Sequence, residues 1–205
     1  MNPAPSIASP NLASPSLAAV KDQLAALANE FGSFRDNTHE SYKDLDEGQT
    51  RLSFIDKFWR ILGWQVDSTS HVLIETRVGT KKPDYRFLQD KTTVFFVEAK
   101  KPIEKLTNAN HIFQAKSYGW SDNVPLVILM DFEEFRPFRT RLKPLFEKPE
   151  QGLLKKLDMF YTDYADRADD LLNTFGREAE YSRGRWRILP NSVPPSAMPA
   201  LIKNF

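Results

Sequence analysis

Pro83-Asp84 and Glu98-Ala99-Lys100 stand on either side of two strand-like runs, Tyr85-Arg86-Phe87-Leu88 and Thr92-Thr93-Val94-Phe95-Phe96-Val97. If the chain folds back as a hairpin around Gln89-Asp90-Lys91, residues equidistant from the turn face each other, and the midpoint between Asp84 and Glu98 is Lys91. Directly opposed side chains have β-carbons about 5 Å apart, close enough for both carboxylates to reach one cation. Glu98 and Lys100 are two apart and point to the same side of a strand. Three charged groups at the end of an apolar strand are costly to bury without a partner. Mg2+ is a fitting one, with Mn2+ able to substitute: it takes hard oxygen ligands, typically one or two carboxylates together with water and substrate phosphate. An ammonium beside it can orient or deprotonate an attacking water. These are the requirements of phosphodiester hydrolysis: activated water, neutralised phosphate charge and in-line geometry. The competing reading is a surface hairpin with a cross-strand salt bridge, which contributes little.

Such a site needs a sheet and helices to hold it. Val72-Leu73-Ile74 with Thr76 and Val78 reads as a strand preceding the two above. Pro125 to Met130 is apolar on both faces, as a buried strand is, and Glu134 to Arg139 reads as an edge strand because Pro137 lacks a donor. Leu17, Val20, Leu24, Leu27 and Phe31 recur at helical spacing. A second helix is expected over about Gly48–Leu62, with Asp44, Asp46 and Glu47 at its entrance and Leu52, Ile55, Phe58, Trp59 and Leu62 on its buried face. A third is expected over about Thr107–Trp120, and Leu153–Phe175 reads as largely helical up to Gly176. Trp64 and Trp120 are expected in the core. The order helix, three strands, helix, strand describes an α/β domain with a mixed sheet flanked by helices. The expected organisation is a disordered lead-in at 1–15, a domain at 16–140 that begins with a helix, a helical extension at 141–189, and a proline-rich tail at 190–205.

With 205 residues, 41% hydrophobic, the chain can bury one substantial core. Its 28 basic and 27 acidic residues nearly cancel, so any basic surface is local. The absence of cysteine excludes disulfides and thiolate zinc sites. There is no secretion signal or membrane-length apolar run, so a cytoplasmic location away from membranes is expected. His39, His71 and His111 lack ligand spacing. Lys81, Lys82, Lys101, Lys105 and Lys116 flank the charged cluster in sequence, where a phosphate backbone would arrive.

Pro83-Asp84 followed by Val97-Glu98-Ala99-Lys100-Lys101-Pro102 resembles the PD-(D/E)xK nuclease superfamily. The ordered blocks from Leu45 to Arg51, Ile61 to Trp64, Lys82 to Phe87, Phe95 to Pro102, Gln114 to Trp120 and Asp131 to Phe135 are similar to the N-terminal nuclease domain of type IIG restriction-modification enzymes and to type I restriction R subunits. The resemblance covers about Tyr42 to Arg139. It implies a restriction-endonuclease-like fold and Mg2+-dependent cleavage of double-stranded DNA. Carried over by position, it implies metal ligation by Asp84, Glu98 and the Ala99 carbonyl, with Glu47 completing or supporting the site. It implies Lys100 as the catalytic lysine, and Gln114 and Tyr118 as a Q-x-x-x-Y element on one helix face. Partners implied are a methyltransferase or target-recognition module and a second copy of the chain. A free-standing relative, a truncated member and an excised domain all remain open, as does a nuclease-fold module that binds DNA or a partner without cutting.

Overall fold

The computed structural model describes residues 16–37, 39–77 and 82–179. The expectations for 1–15 and 190–205, and those for Val78 and Lys81, lie outside the described residues. Among those described, the sheet has six strands in the order β1-β2-β3-β4-β5-β6: Val72–Ile74, Tyr85–Gln89, Thr92–Ala99, Leu126–Met130, Glu134–Arg139 and Met159–Phe160. Only the β3–β4 pairing is parallel, so the sheet is mixed. Its crossover is α5 (Ala109–Ser121), which packs on one face with Phe96, Val127, Leu129 and Phe138. The other face carries Phe95, Val97, Ile128 and Phe135, covered by α1 (Leu17–Asn37), α4 (Asp56–Ile61) and α6 (Ala168–Phe175). This is an α/β fold with helices on both sides of a mixed sheet.

The β2–β3 hairpin sets the site. Tyr85 pairs with Val97 and Phe87 with Phe95, which by continuation sets Asp84 against Glu98. The turn is a two-residue Asp90-Lys91 connection with both φ values positive, 48° and 63°, the geometry that matches the right-handed strand twist. A bulge at Phe87/Leu88 takes up one residue and restores the alignment about Lys91.

The helix before it departs from the expected phase. A short α2 (His39–Lys43) leads to α3 (Glu47–Thr50), which Asp46 opens with a capping box shared with Gln49. A π-helical turn, Arg51–Ile55, then joins α3 to α4. The Asp56 N–H donates to the Arg51 carbonyl, five residues back rather than four. That extra residue turns Arg51, Phe54 and Ile55 inward and leaves Leu52, expected in the core, 71% exposed.

Between residues 141 and 179 the chain is less helical than expected, and the 180–189 part of the expected helical extension lies outside the described residues. From Leu153 to Phe175 it makes turns, β6, a 3-10 turn (Tyr161–Asp163) and only then α6. Leu154, Leu157, Met159, Tyr164, Leu171 and Phe175 enter the main core, so spacing that suggested a helix reflects packing onto the sheet. Consequently β5 is not an edge strand: β6 pairs with Glu134 and Phe135, and Leu154 N–H donates to the Pro137 carbonyl. Pro137 presents its donor-free side to that irregular cover and leaves the β4 ladder intact. Trp64 is buried as expected, its indole donating to the Phe175 carbonyl at 2.8 Å. Trp120 is instead 44% exposed, because the adjacent Gly119 is the residue turned inward. No helix among the described residues is long and apolar enough to cross a membrane.

Candidate active site

At the end of β3, Asp84 Oδ2 accepts the Ala99 N–H at 2.8 Å, across the hairpin. Just beyond the strand, the Lys100 N–H donates to the Met130 carbonyl of β4, fixing the lysine backbone on the sheet. Its ammonium turns back to Glu98 Oε1 at 2.9 Å, the Ala99 carbonyl at 2.8 Å and Glu47 Oε2 at 3.5 Å. Glu47 arrives from the first position of α3, oriented by the Asp46 cap. From α5, Gln114 Nε2 donates to Glu98 Oε1 at 2.8 Å and to the Tyr118 hydroxyl at 2.7 Å. A hairpin, a helix start and a helix face therefore bring Asp84, Glu98, Lys100, Glu47, Gln114 and Tyr118 together.

The cluster is dry. Glu98 is 3% and Lys100 8% exposed. Burial, then the Asp84 charge, push the Glu98 carboxyl up to about 7 against the pull of Lys100. Burial and Glu47 likewise raise Asp84, opposed by the Ala99 N–H and by Arg51. For Lys100, burial works against the charge, but Glu98, Glu47 and Asp84 outweigh it and raise the ammonium pKa. Burial raises the Tyr118 hydroxyl, partly offset by the Gln114 hydrogen bond. Glu98 Oε2 has no hydrogen-bond partner among the described residues although it is buried. A buried orphan carboxylate oxygen beside a second carboxylate and a carbonyl is a donor set that fits a hard cation. Among the described residues no three acidic or histidine side chains close a ready-made cage. Mg2+ does not require one, since it keeps waters and uses one or two carboxylates. The Lys100 ammonium, held by Glu98, Glu47 and the Ala99 carbonyl, is itself a cation at the meeting point of the groups proposed as ligands.

Comparison with known proteins gives a sequence relationship. The type II restriction enzyme and methyltransferase RM.Eco57I of Escherichia coli is 27% identical over 191 residues, covering 84% of this chain and 19% of that protein. The chain is thus similar to one segment of a combined restriction enzyme and methyltransferase. It spans about a fifth of the length of the relative it matches. The crystal structure of the type IIG restriction endonuclease BpuSI aligns with 78% of this chain and 17% of its own, at 16% identity and a TM-score of 0.38. No family model matches the chain.

The lysines expected to bind phosphate divide. Lys82 and Lys105 are exposed, Lys82 being paired with Glu75 at 2.7 Å. Lys101 is half-buried and lies 3.9 Å from Glu104. Lys116 is a correction: it is 2% exposed, and its ammonium donates to the Pro149 and Gln151 carbonyls at 3.0 and 2.7 Å. Four residues after Ile112 and three before Gly119, it falls on the buried stripe of α5, where no phosphate can reach it. Its burial lowers its pKa, opposed by Glu150. The lysine clamps the loop after β5 onto α5. At the other end of that loop, Gly119 lies so close to Thr140 that an added Cβ would come within 2.5 Å of its hydroxyl. Phe113 meets Phe146 edge-on between the two. His71 and His111 make local contacts, His71 Nδ1 accepting the Gln65 N–H and His111 lying 3.3 Å from Glu104.

One residue with no assigned role, Arg51, also faces the cluster. Arg51 Nη1 lies 3.0 Å from Glu75 and 3.7 Å from Asp84. Thr50-Arg51 belongs to one of the ordered sequence blocks, but an uninterrupted helix would have put Leu52 inward in its stead. Only the π turn reveals where Arg51 points.

Proposed function

We propose that the chain is a Mg2+-dependent DNA endonuclease domain of restriction-modification type, hydrolysing phosphodiester bonds in double-stranded DNA. The observation that carries this reading is the convergence of Asp84, Glu98 and Lys100 at one buried point, with Glu98 Oε2 lacking a hydrogen-bond partner among the described residues. A solvated salt bridge would not enclose a second carboxylate and an orphan oxygen. Asp84, Glu98, the Ala99 carbonyl and Glu47 are the groups that would hold the cation. A bound Mg2+, or Mn2+ in its place, supplies Lewis-acid activation and neutralises phosphate charge. Lys100, released from Glu98, moves a proton at the attacking water oxygen. Gln114 keeps Glu98 oriented, and Tyr118 holds Gln114 from behind. Lys82, Lys101 and Lys105 bind backbone phosphates, contacts that position DNA and read no bases.

The match to one segment of a combined restriction enzyme and methyltransferase supports a working partnership with a methyltransferase. One site of this kind cuts one strand at a time, so a double-strand break calls for two copies. The test is plasmid cleavage in Mg2+ or Mn2+ beside Asp84→Ala and Lys100→Ala. The wild type should convert supercoiled plasmid, EDTA should stop it, and each variant should be slower by about 100-fold or more. Equal background nicking by all three proteins would sink the reading.

A further inference from the structure

We infer that Arg51 is a positioning residue for the metal site, fixing the Asp84 carboxylate from the side opposite Ala99 and thereby setting how tightly a divalent cation is held. The inference rests on the nuclease reading and adds a residue outside its assigned set.

The geometry is built in layers. The π turn directs Arg51 inward, and its side chain is only 10% exposed. The guanidinium carbon sits 4.7 Å from the Tyr85 ring centroid, and that ring is locked by its hydroxyl donating to the buried Asp56 at 2.7 Å. The platform under Arg51 is therefore rigid. One nitrogen, Nη1, reaches Glu75 Oε1 at 3.0 Å and Asp84 Oδ1 at 3.7 Å. The Glu75 N–H donates to the Asp84 carbonyl at 2.9 Å, tying the anchor to the same strand end. Asp84 is thus engaged at both carboxylate oxygens: Oδ2 by the Ala99 N–H hydrogen bond and Oδ1 by a longer ion pair with Arg51.

Stacking on Tyr85 and charge pairing with Glu75 would alone satisfy a structural arginine. The contact with Asp84 is what links it to the site. A planar guanidinium stacked on a ring has one orientation, whereas an ammonium on a flexible stem has many. Outer partners of ligating groups typically contribute about 10–100-fold in metal affinity or activity.

The experiment titrates the full 205-residue protein with Mn2+ without DNA, following free Mn2+ by electron paramagnetic resonance, beside melting temperature and plasmid cleavage. Wild type, Arg51→Ala, Arg51→Gln, Arg51→Lys and the ligand control Asp84→Ala are compared. Arg51→Ala and Arg51→Gln should weaken Mn2+ binding by about 10–100-fold, and Arg51→Lys should recover only part of it. If Arg51→Ala does not fold, Arg51→Gln and Arg51→Lys carry the same comparison. Unchanged Mn2+ affinity with a lower melting temperature would make the arginine merely structural. Tighter binding would show that it only repels the cation. Full recovery in Arg51→Lys would show that charge alone suffices. Each of these three overturns the inference and leaves the nuclease reading standing. A wild type that neither binds Mn2+ nor cuts overturns both.

Discussion

At Glu98 folding and chemistry make opposite demands. Its carboxyl is raised to about 7 because burial and Asp84 disfavour the charge, while the proposed cation would need that charge. An unfolded chain gives up this proton near 4.5, the ordinary value, whereas the folded one keeps it to about 7. The protonated site's stability advantage is therefore full below 4.5 and is lost as pH rises to about 7, a change of roughly 3 kcal/mol for the metal-free protein. Thermal melts across that window should show a falling melting temperature in wild type and a flatter profile in Glu98→Gln. A profile that rises with pH, or equal slopes in both proteins, would contradict the assignment. The pairing of Asp84 with Glu98 was legible in sequence because β geometry has a strict period of two and the hairpin midpoint is arithmetic. The fate of Lys116 was not. Lysine is read as a surface residue by type, and only the carbonyls of Pro149 and Gln151, remote in sequence, make its burial tolerable.

Among the elements, the helical segment that starts at Glu47 shows how one residue of phase redistributes roles. Counting by α-helical periodicity puts Leu52 in the core and says nothing of Phe54, whereas the π turn reverses this. Phe54, 4% exposed, contacts Phe31 and Phe132, so Phe54→Ala should cost about 3–5 kcal/mol. Leu52→Ala should stay within about 0.5 kcal/mol. Urea denaturation of the two variants decides the phase, and the reverse order would restore the uninterrupted helix. The π turn was illegible because a single inserted residue leaves no compositional mark. The buried strand Leu126–Met130 and the stripe of α1 were legible because each repeats one physical requirement over many residues. The edge position of β5 failed for a related reason: Pro137 states which side lacks a donor, and not what lies beyond it.

For the whole molecule, the described chain after residue 140 is part of the folding unit. Tyr164 donates to the Phe132 carbonyl at 2.7 Å, and Phe175 packs on Phe95 and Phe135. Ending the chain after Thr140 would expose those surfaces. Each large buried side chain lost removes about 1.5–3 kcal/mol, against a total stability of about 5–15 kcal/mol for a domain. A protein of residues 16–140 should therefore lack a cooperative melt and bind a hydrophobic dye, as calorimetry and fluorescence can show. A sharp melt near that of the full chain would place the boundary of the unit at 140 after all. The sequence blocks stop near Arg139, so local motifs trace the site, while the extent of the core depends on scattered apolar residues with no motif of their own.

The loop from Arg141 to Lys148 is gripped at both ends, by the close approach of Thr140 to Gly119 and by the hold of Lys116 on Pro149 and Gln151. Of its exposed apolar side chains, Phe146 meets Phe113 of α5 edge-on, while Leu142 and Leu145 face solvent. The consequence is modular: the loop is a cassette in a fixed socket, and substitutions at its exposed positions should leave the Gln114 and Tyr118 contacts of the same helix undisturbed.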